Sequence, residues 1–312
     1  MFQEKRLALL YAVSPVHMGS GTSLGVIDNP IQREKHTGHP VFAGSGLKGA
    51  VRELARINNM DKETMDKVFG PDSNASDHAG AVSFSDVQLV AFPVRSLREG
   101  FVYVTSPIAL NRFIRLASAA GVEKFEDSDE GKNLPILQDD KAVVLDNNLL
   151  SEGKLVLESY EYAVKEEADG LLKKVADWLA DSTMPDGSGF SFFKEKLKKH
   201  LVLLSDTQFS YFVNNSTVVE PHVRIDDASG TADDGGLFFT ENVPPEAIFA
   251  CLVMASQERK KKGENEKGMT ASKIMQKLSE ILDDKLLQIG GDATTGRGQV
   301  YVSLPGKSNK EE

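Results

Sequence analysis

The stretch "GGDATTGRGQVYVSLP" (Gly290–Pro305) decides which class of fold the chain can adopt. A glycine-rich loop that opens a helix would be the phosphate loop of a nucleotide-binding α/β fold. Here Arg297 stands where that loop needs Lys, Gly298 stands where it needs Ser or Thr, and the residues that follow alternate like a strand. The Walker reading fails. Two readings of the loop stay open: a plain turn between the last helix and the last strand, or a cradle whose backbone amides approach an anion closely.

Working outward, the other glycine cluster, "GSGTSLG" (Gly19–Gly25), follows a strand-like run at Arg6–Val13. Its spacing is not G-x-G-x-x-G, and Pro30 argues against an immediate helix, so a dinucleotide fold fails as well. Helical spacing of Leu47, Val51 and Leu54 predicts a helix in "SGLKGAVRELARI", and helices are also expected at Pro107–Ala120, Gly170–Leu179, Phe190–His200 and Met269–Lys285. Strands are expected at Ala81–Phe92 and Val94–Thr105 (a hairpin around Pro93), in "KLVLESYEYAV", in "PEAIFACLVMA" and in "GQVYVSLP". "VVEPHVRID" and "GLFFTEN" flank the turn-rich "DASGTADDGG" and read as one long hairpin, with Pro221 confining its first arm to an edge or bulge. This order is not a clean βαβα run. It favours an α+β fold with antiparallel neighbours over a doubly wound sheet.

The 312 residues suffice for one large or two ordinary domains, and 40% hydrophobic content is ample for a core. The longest apolar run, Leu7–Val13, is too short to span a bilayer and lacks a signal-peptide cleavage site, so a cytoplasmic protein with no membrane partner is expected. Cys251 is the single cysteine, which excludes an internal disulfide. The net charge of −10 argues against nucleic acid when taken alone. Acid is segregated from base, however. Eight acidic residues crowd Gly121–Asp146, whereas Arg33–Arg56 carries five bases against Glu34 and Glu53, so a local basic groove survives.

"GVIDNPIQREKHTGHP" (Gly25–Pro40) places Asp28 in a loop with Arg33, Lys35, His36 and His39. A turn-capping aspartate on a solvated loop has this pattern, and so does a carboxylate working on a phosphate chain. "AGSGLKGAVRE" puts Ser45 and Lys48 at a helix start, with Arg52 one turn on, where free amides attract phosphate. A Ser-capped helix with a solvated basic face is its bland alternative. His17, just after the first strand, suits a functional or a structural hydrogen-bonding role. The chain has no H-E-x-x-H or C-x-x-C, which argues against a dedicated zinc site.

In order along the chain, "SPVHMGSGTSLGVIDNPIQREKHTGHPVFAGSGLKGAVRE", "VRIDDASGTADDGGLFFTENVPP" and "IGGDATTGRG" resemble the RAMP superfamily of CRISPR proteins. The resemblance is closest to the backbone subunit of the type III-B Cmr effector complex. It implies a single domain over 1–312 with an RRM-like, ferredoxin-type core. It further implies a thumb hairpin near 216–243 and the glycine-rich loop 290–298; the acidic segment near 121–148 reads as a lid-like insertion. Copies of the chain, with other Cmr subunits, would stack along CRISPR RNA and cut a paired target RNA at regular intervals, with a divalent metal such as Mg2+ or Mn2+. Asp28 is the implied catalytic residue, as base or as metal ligand. Lys48, His17 and the loop residues Gly290, Gly291, Thr294, Thr295, Gly296, Arg297 and Gly298 are the implied guide contacts. Arg33, Lys35, His36, Ser45, Arg52 and Arg224 complete the expected RNA-binding set. A non-catalytic, RNA-binding structural RAMP subunit is the alternative, and a metabolic nucleotide enzyme is disfavoured by both failed glycine motifs.

Overall fold

From Leu7 onward strand β1 (Glu4–Ala12) is apolar at every position, because both of its faces are covered there. Leu7, Leu9 and Tyr11 enter one core, while Ala8, Leu10 and Ala12 enter the other. Successive side chains of a strand point to opposite faces, so a doubly covered strand cannot alternate with polar residues. The computed structural model describes residues 2–72, 78–122, 125, 136–165, 170–187, 189–259 and 268–306.

After β1 come β2 (Val41–Phe42), α1 (Gly44–Ile57), α2 (Lys62–Phe69), β3 (Val82–Phe84), β4 (Val87–Arg95), β5 (Phe101–Thr105) and α3 (Pro107–Ala119). The middle of the chain forms β6 (Lys141–Val143), β7 (Leu150–Ser151), β8 (Lys154–Leu157), β9 (Tyr160–Val164), α4 (Leu171–Thr183), α5 (Ser191–His200), β10 (Leu201–Leu204) and α6 (Asp206–Asn215). The last third holds β11 (Val218–Ile225), β12 (Ala232–Asn242), β13 (Ile248–Ala255), α7 (Ala271–Leu282), β14 (Lys285–Gln288) and β15 (Gln299–Ser303).

Thirteen of these strands make one mixed sheet, ordered β14-β15-β1-β13-β4-β5-β10-β6-β9-β8-β7, with β2 beside β4 and β3 beside β13. Only β5–β10 and β6–β9 are parallel among its pairs, as the α+β reading requires. Apolar stripes of α1, α6 and α7 cover one face, and those of α3, α4 and α5 cover the other. Cys251 lies fully buried in β13, where burial pushes its thiol up to about 12.

Several expectations are corrected. Pro93 lies inside β4 opposite Tyr103, and the hairpin turns at Leu97–Gly100 instead. The helix expected to reach Lys285 stops at Leu282, and Lys285–Gln288 is a strand. Helices α2 and α6 were not anticipated; in α6 the apolar residues Phe209, Phe212 and Val213 are few and follow a polar start. Within the acidic segment 121–148, read as a lid-like insertion, β6 sits inside the main sheet between β10 and β9. Positions 123–124 and 126–135 of that segment, 260–267 of the charged loop and the tail from 307 lie outside the described residues.

Strands β11 and β12 form a separate hairpin, the long one read from the sequence. Pro221 pairs with Phe239, whose N–H and C=O both point away from β11. At such a non-bonded position the missing N–H of proline costs no ladder bond.

Candidate nucleic-acid interface

The outer edge of β12 is where the sequence-selected residues meet. An unpaired strand edge presents a row of free amides and carbonyls. Here the segments around Asp28 and His17 occupy that row. Phe239 N–H donates to Asp28 Oδ2 at 2.8 Å, and Asn29 N–H donates to Phe239 O at 3.0 Å. Glu241 N–H donates to Asn29 O at 3.0 Å, and His17 Nδ1 donates to Glu241 O at 2.7 Å. A carbonyl only accepts, so the His17 proton sits on Nδ1 and leaves Nε2 as the uncommitted ring nitrogen. Val16 and Val243 exchange both backbone bonds at 2.9 Å, closing the edge.

Asp28 sits at the closed end of a small lobe. Gln32 N–H to Met18 O, Ser20 N–H to Pro30 O and Ser23 N–H to Asp28 O lace the lobe shut, and its tip projects Leu24 and Val26 into solvent at 108% and 91% exposure. Asp28 is half-buried. One of its carboxylate oxygens is held by the hairpin, while Oδ1 has no hydrogen-bond partner among the described residues.

Arg33 does not point into open solvent. Its guanidinium donates to Gly38 O at 2.8 Å, to Val213 O at 2.9 Å and to Glu241 Oε1 at 2.5 Å. Lys35 and His36 are exposed, and His36 Nε2 lies 3.9 Å from Glu34. Burial raises the Glu34 carboxyl, but hydrogen bonds from Arg112 and Thr37 outweigh it and hold the group below its ordinary range. His39 is buried against the edge of Phe209 with Nε2 3.2 Å from Ser210 Oγ, and burial lowers it to about 4.

The glycine loop is wedged against the same His17. Gly291 N–H donates to His17 O at 2.9 Å, Gly298 N–H to Pro15 O at 2.8 Å and Ile289 N–H to Gly298 O at 2.8 Å. Gly290 has φ 74°, and a Cβ there would lie 2.3 Å from His17 O. At Gly298, φ is 82° and a Cβ would lie 2.0 Å from Ile289 O. Between these anchors Asp292–Gly296 winds through a 3-10 turn and exposes Thr294, Thr295 and Gly296. Arg297 is paired with Glu220 of β11 at 2.6 Å.

Helix α1 starts beside them but is not Ser-capped. Its N-cap is Ala43, and Ser45 is an exposed first-turn residue. Asp86 Oδ1 accepts from Gly44 N–H at 2.9 Å and so takes the first of the helix-start amides. Lys48 is half-buried and donates to Val82 O at 3.3 Å. Burial lowers its ammonium, with Arg52 and Arg259 adding like-charge repulsion. Arg52 pairs with Asp72 at 2.6 Å, and Arg56 with Glu53 at 2.5 Å. Arg224 lies farther out on β11, exposed, 3.7 Å from Asp233.

Comparison with known proteins decides the family. The RAMP superfamily model matches residues 9–301. The "CRISPR system Cmr endoribonuclease Cmr4" of Pyrococcus furiosus is 35% identical over 302 residues, covering 96% of this chain and 95% of the relative. This chain belongs to the RAMP superfamily. The "CRISPR system CMR subunit Cmr4" of Saccharolobus solfataricus is 28% identical over 311 residues, 93% of each chain. The crystal structure of oligomeric Cmr4 from Pyrococcus furiosus superposes with a TM-score of 0.73 at 28% identity, covering 98% of this chain and 99% of that one.

Three groups of residues in this RAMP protein therefore converge: the Asp28 lobe, His17 and the glycine loop, all around the hairpin base. Arg224 stands apart. Sequence reading missed Glu241, Glu220 and Phe239, which hold the others. The pattern in "FFTENVPP" that could have pointed to Glu241 is an acid whose same-face neighbours in a strand, Phe239 and Val243, are apolar. Such a carboxylate is costly to bury without a cation. As for metal, no three His, Cys, Asp or Glu side chains gather among the described residues closely enough to hold an ion. The oxygen of Asp28 that the hairpin leaves open, Oδ1, fits only an ion that takes most of its ligands from phosphate and water, as Mg2+ commonly does. No helix among the described residues is long and apolar enough to cross a membrane.

Proposed function

We propose that this RAMP protein is the guide-RNA-binding backbone subunit of a type III-B RNA-guided effector complex and cleaves guide-paired target RNA through Asp28. The observation that carries the proposal is the end-to-end match to a relative named a Cmr endoribonuclease. In this reading several copies, joined by other Cmr subunits, stack along CRISPR RNA in a cytoplasmic complex. The core is RRM-like, the β11–β12 hairpin is the thumb that wedges between guide and target, and the acidic insertion is the lid. Thr294, Thr295 and the amides of the glycine loop, with Ser45 and Lys48 on α1, track the guide phosphates. Lys35 and His36, both exposed, reach the target strand.

The reaction needs little from the protein. The ribose 2′-OH is the nucleophile; its proton passes to Asp28 Oδ1 as the oxygen bonds to phosphorus, and the 5′-oxygen leaves and takes a proton from water. Holding the flipped nucleotide in line supplies much of the acceleration, and a carboxylate base adds about 10²–10⁴-fold. If Asp28 Oδ1 instead held Mg2+ or Mn2+, the ion would neutralise charge on the phosphate, and water in place of Asp28 would take the 2′-OH proton.

Phe239 N–H on Asp28 Oδ2 also supports a second reading, in which Asp28 merely caps the lobe and the chain is a non-catalytic RNA-binding subunit. Asp28→Asn separates the two, because an amide oxygen can still accept that bond. Target cleavage by the assembled complex should fall by about two orders of magnitude or more, with guide affinity and target capture unchanged. Retained cleavage would leave only the structural reading.

A further inference from the structure

We infer that Glu241 is the positioning residue of the cleavage site, and that Arg33 is its strut and not a phosphate contact. This rests on the reading of Asp28 as the catalytic carboxylate. Glu241 is 3% exposed on β12, two residues beyond the amide that holds Asp28. Its carboxylate accepts from Arg33 Nη2 at 2.5 Å, from Thr217 Oγ1 at 2.8 Å and from Ile31 N–H at 3.1 Å. Its main chain donates to Asn29 O and accepts from His17 Nδ1.

One residue therefore grips alternate positions 29, 31 and 33 of the strand leaving Asp28, and His17 as well. That alternation fixes which way Asp28 faces, since a slip of one residue would turn its side chain to the opposite side. A carboxylate suits the place because three donors converge on it, and only an anion offers acceptors on both oxygens. Glutamine would set an NH2 against one of those donors. Arg33 has its fork committed to Gly38 O, Val213 O and Glu241, so β12, α6 and the lobe are tied through a single guanidinium.

Effector complexes assembled on this chain with guide RNA test the assignment. With Glu241→Gln, single-turnover cleavage at saturating target should fall about tenfold or more, while the dissociation constants for guide and target stay within about twofold. Amide exchange at Asn29 and Ile31 should quicken while β1 and β13 keep their protection. Arg33→Met should behave alike, and the double variant should be no worse than the worse single, because both remove one link. Arg33→Lys keeps the charge without the fork and should be intermediate, which covers the case in which Arg33→Met fails to fold. Loss of guide or target affinity with Arg33→Met, a salt slope shallower by about 0.7 and additivity with Glu241→Gln would overturn the inference. If Asp28→Asn is inactive yet Glu241→Gln leaves exchange at Ile31 unchanged, the inference falls alone; if Asp28→Asn cleaves normally, both readings fall together.

Discussion

Two loops carry the glycines that stand out in this sequence, and they use them for opposite ends. In the Gly290–Gly298 loop the glycines are wedges: a Cβ at Gly290 or Gly298 would run into the carbonyl of His17 or Ile289. In the Gly19–Gly25 loop, Gly21 has φ 95° with no atom within 4 Å of where its Cβ would be, and the tip beyond it hangs in solvent. One loop needs glycine so that two backbones can touch. At Gly21 the other needs it only to turn, although a Cβ at Gly19 would lie 2.8 Å from His17 Nε2. Composition cannot separate the two cases, because Gly290 meets His17, far away in the chain, and the meeting of Gly298 with Ile289 depends on how the loop folds back on itself.

Substitutions in the two loops test the contrast most directly. Gly298→Ala combines left-handed strain with a backbone collision and should cost on the order of 3 kcal/mol or more, read as a lower urea midpoint. It should also detach the loop from Pro15 and weaken guide binding. If instead the loss is below about 1 kcal/mol, the wedge description is wrong.

The second prediction concerns the segment that follows the Asp28 lobe. Burial lowers His39 to about 4, so between its ordinary 6.5 and that value the unfolded chain binds a proton that the folded chain refuses. The stability is complete above about pH 6.5 and is lost as pH falls toward 4, by at most about 3 kcal/mol. Glu246 opposes this trend. Its carboxyl, buried with Oε2 unpartnered, is pushed up to about 7, so its contribution is full below the ordinary carboxylate range and is lost as pH rises through 7. Total stability can then look flat, and the useful measure is the difference between wild type and His39→Gln in urea melts at pH 5 and pH 7. That difference should narrow at the acid end, and a constant difference would refute the assignment.

The smallest effect belongs to the free lobe. Gly21→Ala should cost about 1 kcal/mol or less, with guide binding unchanged, and a loss rivalling Gly298→Ala would erase the distinction between the loops.

What could be read from the sequence follows from the range of the forces involved. Helix α1 was legible because Leu47, Val51 and Leu54 recur locally at helical spacing; Leu47 and Val51 bury fully with Ala55, and Leu54 packs beside them. The β11–β12 hairpin was legible because its turn chemistry is local; Asp226 and Ser229 close it with their own bonds. The basic face of α1 misled in part, since Asp72, which neutralises Arg52, lies twenty residues on. Arg33 was harder still. Its anion lies 208 positions away, and no periodicity within Gly25–Pro40 encodes Glu241. Helix α6 was passed over because its strongest burial signal, Phe209 with Phe212 and Val213, spans barely one turn. The grouping of Asp28, His17 and the glycine loop became legible only through family resemblance; the residues alone favoured a capping turn for Asp28.

The hairpin base has opposite duties on its two sides. Glu241 reaches the Asp28 strand from one side, while Glu220, which accepts from Asn242 Nδ2, reaches Arg297 of the glycine loop from the other. Because facing alternates residue by residue, a one-residue slip of β12 at the base would turn Glu241 away from Arg33 and present Asn242 in its place, while a one-residue slip of β11 would turn Glu220 away from Arg297. Length can therefore drift freely only at the Asp226–Thr231 tip, where the chain bonds only to itself. Nearer the base, natural variants should differ by even numbers of residues on each arm, so that the hairpin's history is written in steps of two.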